Sequence, residues 1–201
     1  MILFLVLLSL PLLTILLIRY VSPSAVRTTS ATGQTDERIV ILKQGCCLGL
    51  PLGAFFMVQN LFGNVIPLPA AAEPIVDRVF APFILSIALL ALFSSGYRAS
   101  RLTGRLRAAS LAGSLTGVFV FFLFGLSFVI IDMAFFDVVR QQPEKILNFA
   151  QSGYADMRTY LFESTVRGAT VMTLVGAASG AILGSVGGLV GNRRFLQRRM
   201  V

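Results

Sequence analysis

The sequence has no histidine, no tryptophan, only two cysteines, and just 13% charged residues over 201 positions. Without histidine there is no imidazole base, no His-ligated metal, haem or chlorophyll, and no triad that needs one. Cys46 and Cys47 are adjacent. Neighbouring thiols rarely bridge each other, and two thiolates cannot complete a zinc site, so small apolar packing is expected of them, with acylation or intermolecular coordination as the alternatives. The shortage of charge is more informative. A soluble domain carries roughly 25% charged residues to cover its core, whereas this chain is 56% hydrophobic with a mean hydropathy of +0.83. Its outer surface is therefore expected to face lipid.

What is present is a series of long apolar runs, uncharged except for Lys43 near the start of the second. A bilayer core about 30 Å thick needs around 20 apolar helical residues, and five such segments occur, at 1–18, 39–61, 79–97, 110–131 and 169–191. None alternates with the period of a barrel strand. The expected fold is an all-α integral membrane protein of about five transmembrane helices plus one or two amphipathic helices on the outer face. Its organisation reads as an N-terminal anchor (1–18), a linker (19–38), a transmembrane hairpin (39–97), a basic turn (98–109), a transmembrane helix (110–136), an external amphipathic segment (137–167), a glycine-zipper helix (168–191) and a basic tail (192–201). The first run is expected to be retained rather than cleaved, because its positive charge, Arg19, follows the apolar stretch instead of preceding it.

The excess of basic charge, formally +8, sorts by loop. Arg19, Arg27, Arg38, Lys43, Arg98, Arg101, Arg105, Arg107, Arg193, Arg194, Arg198 and Arg199, with Asp36 and Glu37, give one side a net +10. Arg78, Arg140, Lys145, Arg158 and Arg167 against seven carboxylates give the other side −2. Lys and Arg are retained on the cytoplasmic side, so the N-terminus is expected outside and the C-terminus in the cytoplasm of a cell (inner) membrane. Nucleic acid is not expected as a partner. The clusters Arg98, Arg101, Arg105, Arg107 and Arg193, Arg194, Arg198, Arg199 flank spans, where they fit anionic lipid headgroups.

Glycine spacing is the most specific pattern. Gly176, Gly180, Gly184 and Gly188 recur every fourth residue, joined by Gly187 and Gly191; Gly45, Gly49 and Gly53 mark the second span, and Gly113 and Gly117 the fourth. Glycines four apart leave one helix face bare, so a neighbouring backbone can approach closely. These faces are expected to pack against the chain's own helices, against another membrane subunit, or in a homo-oligomer. Pro51, between Gly49 and Gly53, is expected to kink its helix and is the best pointer to a solute pathway.

No charged residue falls at the middle of any run. Lys43 and Asp132 lie near run ends and are expected to reach water at the interface. A proton- or sodium-coupled carrier would need a buried carboxylate, which counts against that class. The external segment has a helix start at Pro143 with Glu144 complementing the dipole, an apolar cluster at Ile146, Leu147, Phe149 and Ala150, and a stop at Gly153; a second stretch begins at Ala155. No cofactor or metal is implied. The phenylalanines at 119, 121, 122, 124 and 128 leave a bound lipid, quinone or pigment open but bring no axial ligand.

Segments 39–61 and 110–131 align at an offset of 64, Gly49 with Gly113, Gly53 with Gly117 and Phe55 with Phe119, as if two related hairpins followed an anchor. The turn Gly96-Tyr97-Arg98-Ala99-Ser100-Arg101-Leu102-Thr103-Gly104-Arg105-Leu106-Arg107, followed by Ala112-Gly113 and Thr116-Gly117, resembles a hairpin of small uncharacterised polytopic bacterial membrane proteins. That resemblance covers about a tenth of the chain and implies no site residues. The expectation is a non-enzymatic integral subunit, a structural or assembly component of a larger membrane complex whose partners are lipids and other transmembrane subunits or further copies. A small-solute transporter or channel built from two hairpins is the alternative.

Overall fold

The computed structural model describes residues 37–65 and 81–199. The expected anchor at 1–18, nearly all of the linker, and the loop carrying Pro67, Pro69 and Pro74 lie outside the described residues. The described chain is helical, without a strand among its residues: α1 (Glu37–Val65), α2 (Ala81–Thr103), α3 (Leu106–Ala134), α4 (Phe136–Val139), α5 (Pro143–Ser152) and α6 (Met157–Arg199). Four of these, α1, α2, α3 and α6, are long and apolar enough to cross a membrane. Among the described residues the count is therefore four rather than five, since the remaining expected span is the undescribed anchor.

The helices run further than the uncharged segments do, because backbone hydrogen bonding does not stop at the edge of an apolar run. The basic turn expected over 98–109 shrinks to Gly104 and Arg105. Gly104 has φ +69, a left-handed conformation that glycine adopts without a Cβ penalty, and its N–H donates to the Ser100 carbonyl at 2.7 Å. At the other end of the bundle, the second amphipathic stretch is not a separate surface helix. It is the opening of α6, whose first turn is capped by the Asp156 carboxylate, which accepts the Thr159 N–H and hydroxyl, each at 2.8 Å. The helix α5 starts at Pro143 and ends at Gly153, which has φ +75, as its sequence signals indicate.

Helix order follows from which residues meet. Gly45 lies beside Leu115, Gly53 beside Val120, and the Asn60 amide donates to the Ser127 hydroxyl at 2.7 Å, so α1 and α3 run parallel. Gly113 meets Gly180, Gly125 meets Ala169 and Asp132 meets Thr165, so α3 and α6 are antiparallel. Gly96 meets Gly184 and the Ser100 hydroxyl donates to the Gly188 carbonyl at 2.8 Å, so α2 and α6 are parallel. One end of the bundle gathers Glu37, Arg38, Arg105 and Arg193; the other gathers Asn60, Asp132, Lys145 and Asp156.

Small side chains make up much of the closest packing, with Leu52, Leu92 and Leu161 the large residues buried among them. Ala99, Ala108, Ala109, Ala112, Ser95, Ser100, Thr116 and Ser127 are fully buried, whereas Leu90, Leu174 and Ile182 are 63–65% exposed. Between lipid-facing helices, apolar burial gives little net drive, and close backbone contact between small residues takes its place.

Candidate functional site

The glycines form three seams, α3–α6, α2–α6 and α1–α3, all within the chain. On one face of α6, Gly176, Gly180 and Gly184 lie against α3: a Cβ built on Gly113 would overlap the Gly180 carbonyl oxygen, and one on Gly117 the Gly176 carbonyl oxygen. Gly188 continues that row against Ala109, whose Cβ a side chain at Gly188 would strike. The second face of α6 meets α2, where Gly96 sits on Gly184, Gly187 on the Phe93 carbonyl and Gly191 on the Tyr97 carbonyl, each too close to leave room for a Cβ. In α1, Gly45, Gly49 and Gly53 pack on Leu115, Phe119 and the backbone around Val120 of α3. Gly96 and Gly125 were not among the expected packing residues. For Gly96 a signal was present, since Gly96 and Ser100 form a small pair four residues apart.

The offset-64 alignment does not carry over to these contacts. Gly49 and Gly53 face α3, yet their counterparts Gly113 and Gly117 face α6. The pairing helices in the two hairpins therefore differ. Pro51 is exposed and α1 continues through it as one helix, away from the cleft described below. Cys46 and Cys47 are free, half-buried thiols.

At the basic end, Arg105 pairs with Glu37 at 2.5 Å, and Arg101 lies over the Tyr97 ring at 5.6 Å. Arg107 and Arg193 are exposed, Arg98 is half-buried, and Arg194, Arg198 and Arg199 belong to the last turns of α6. The Arg105–Glu37 pair joins the start of α3 to the start of α1, but Arg105 is 63% exposed, so water screens most of its worth.

The opposite end holds the most concentrated polar chemistry. Asp132 was expected to reach water at the interface; instead it is 5% exposed. The reason is that α5 and the start of α6 fold over it. Its Oδ2 accepts the Thr165 hydroxyl of α6 and lies 3.4 Å from Lys145 Nζ of α5. A carboxylate removed from water needs such partners, because an uncompensated buried charge is strongly destabilising. The trio opens onto a cleft of about 210 Å³ that it lines together with Phe128, Ala169 and Met172. Nearby, Tyr154 donates its hydroxyl to Glu163 at 2.7 Å, a bond that pushes its phenol up from the usual value of 10.0. Two hydrogen bonds from Thr159 hold the Asp156 carboxyl below its usual 3.8.

Chemically, the trio offers one carboxylate, one ammonium and one hydroxyl. It can hold three helices together, and its cleft can admit a small molecule. Among the described residues no cluster of Cys, Asp or Glu is grouped to hold a metal ion. Comparison with protein families, curated proteins and solved structures finds no match for the chain.

Proposed function

We propose that this protein is a non-enzymatic integral membrane subunit, a structural or assembly component of a larger membrane complex, with the arginine-rich end of its bundle in the cytoplasm. The observation that carries this reading is the set of four long apolar helices packed together through small residues, with Leu90, Leu174 and Ile182 left exposed on the outside. Both glycine faces of α6 are occupied by α3 and α2, so the surface left for a partner is the outward face bearing Leu174, Ile182 and Leu189, exposed by 56–65%. That surface accepts acyl chains or another subunit's helices equally well. Segregation of Arg38, Arg98, Arg101, Arg105, Arg107 and Arg193 at one end supports the orientation.

A second reading, a small-solute carrier, is favoured by the open cleft lined by the buried carboxylate of Asp132, at the end of the apolar run where a solute would enter. One preparation separates the two. Purification of the intact protein in mild detergent, with mass spectrometry of what accompanies it, should return stoichiometric membrane partners. A homogeneous species free of partners counts against the subunit. Solute flux from that species in liposomes, lost in Asp132→Asn, would establish the carrier in its place.

A further inference from the structure

We propose that α5 is a lipid-binding element that lies in the membrane–water interface, with Ile146, Leu147 and Ala150 seated in a phospholipid bilayer. The proposal rests on the integral-membrane reading above. A ten-residue helix is about 15 Å long, half of what is needed to cross a hydrocarbon core of about 30 Å. It must therefore lie along a surface.

Three flanks of α5 have three different environments. At 100° per residue, Lys145, Phe149 and Ser152 fall together, and all three are half-buried. This flank meets the bundle, through the Lys145 contact with Asp132 and the Phe149 ring 5.8 Å from that of Tyr160. Glu144, Asn148 and Gln151 form an exposed polar flank on one side of that contact line. Pro143, Ile146, Leu147 and Ala150 form an exposed apolar flank on the other, with Leu147 59% and Ile146 49% open. No residue of α5 is buried, so its apolar flank has no covering within the described chain. A helix standing in bulk water beside a bundle has no use for one wet and one apolar side. A helix on a bilayer requires both.

The level of α5 along the bundle agrees. In α3 the residues from Ala108 to Ile131 carry no charge, and this run is about 36 Å long, enough to cross the hydrocarbon core. Asp132 is the first charged residue beyond it, so it marks the far boundary. The 3.4 Å Lys145–Asp132 contact fixes α5 at that boundary. Exposed Phe135, Val138, Phe162 and Val166, at the same end of the bundle, extend the apolar surface around the α5 flank.

The absence of tryptophan supplies a clean test. Single variants Leu147→Trp and Ile146→Trp on the apolar flank, Asn148→Trp on the polar flank, and Leu174→Trp on the outward face of α6 would be made in the full chain. Each would be reconstituted in phosphatidylcholine vesicles with or without lipids brominated near the headgroup or deep in the acyl chain. The expected result is blue-shifted emission from Leu147→Trp and Ile146→Trp with quenching by the shallow bromolipid, and acrylamide quenching of Asn148→Trp. Equal acrylamide access on both flanks without bromolipid quenching overturns the proposal. So does a blue shift that bromolipid leaves untouched, since a protein surface then covers the flank. Deep-bromolipid quenching of Leu174→Trp keeps the integral-membrane reading intact in either case; loss of that signal removes the foundation itself.

Discussion

Gly113 and Gly168 are both helical glycines on the α3–α6 hairpin, yet an added methyl group meets opposite conditions at the two. At Gly113 it would strike the Gly180 carbonyl oxygen and come within 2.8 Å of Gly184 Cα, so two backbones would have to separate. At Gly168 nothing lies within 4 Å. Gly113→Ala should therefore cost about 1–3 kcal/mol, the usual range for overpacking. Gly168→Ala should be neutral or stabilising by up to about 1 kcal/mol, because alanine restricts the unfolded chain and favours the helix. Thermal unfolding of the full chain in detergent, followed by circular dichroism, checks this. Equal losses in both variants would mean that the Gly113 contact is not what stabilises the seam. At this scale the four-residue spacing marks which helix faces are bare of side chains. It does not mark their partners, because a bare helix face accepts any backbone that reaches it. Asp132 was misjudged for a related reason: its position in α3 is near a helix end, but the side chains that cover it come from 13 and 33 residues further along the chain.

The elements at the Asp132 end start and stop where their local chemistry says they should. Pro143 opens α5, Gly153 closes it, and the Asp156 cap begins the 43-residue α6. The Asp156 carboxyl is held below its usual range by the Thr159 hydroxyl and N–H. With the folded value depressed, its contribution to stability is present above pH 3.8 and is lost as pH falls through the folded value. Asp156→Asn keeps an N-capping oxygen but does not titrate. Melting curves between neutral pH and pH 3 should thus fall less steeply for Asp156→Asn than for the parent, and parallel curves would exclude this cap as the source of acid sensitivity. What local signals could not supply was continuity. The Ala155 stretch reads as a surface helix by itself, and only the unbroken hydrogen bonding into residues 168–191 makes it the first turns of the long apolar helix α6.

For the whole molecule, charge and glycine content answer different questions. Among the described residues, Arg38, Arg98, Arg101, Arg105, Arg107 and Arg193 lie at one end of the bundle, while Arg140, Lys145, Arg158 and Arg167 lie at the other beside most of the carboxylates, as the loop charges indicate. A reporter fused after Val201 should be active only in a cytoplasmic assay, as the retention of Lys and Arg on that side requires; periplasmic activity there would overturn the orientation. Long apolar helices, and the glycine rows along them, follow from composition and periodicity, since both are properties of residues near one another in sequence. Which row meets which helix was decided only in three dimensions. Gly113 faces α6 while its aligned counterpart Gly49 faces α3, a choice set by the packing of all four long helices at once. The burial of Asp132 was decided the same way, because a carboxylate at a helix end stays wet unless some distant segment folds over it, and here α5 and α6 do.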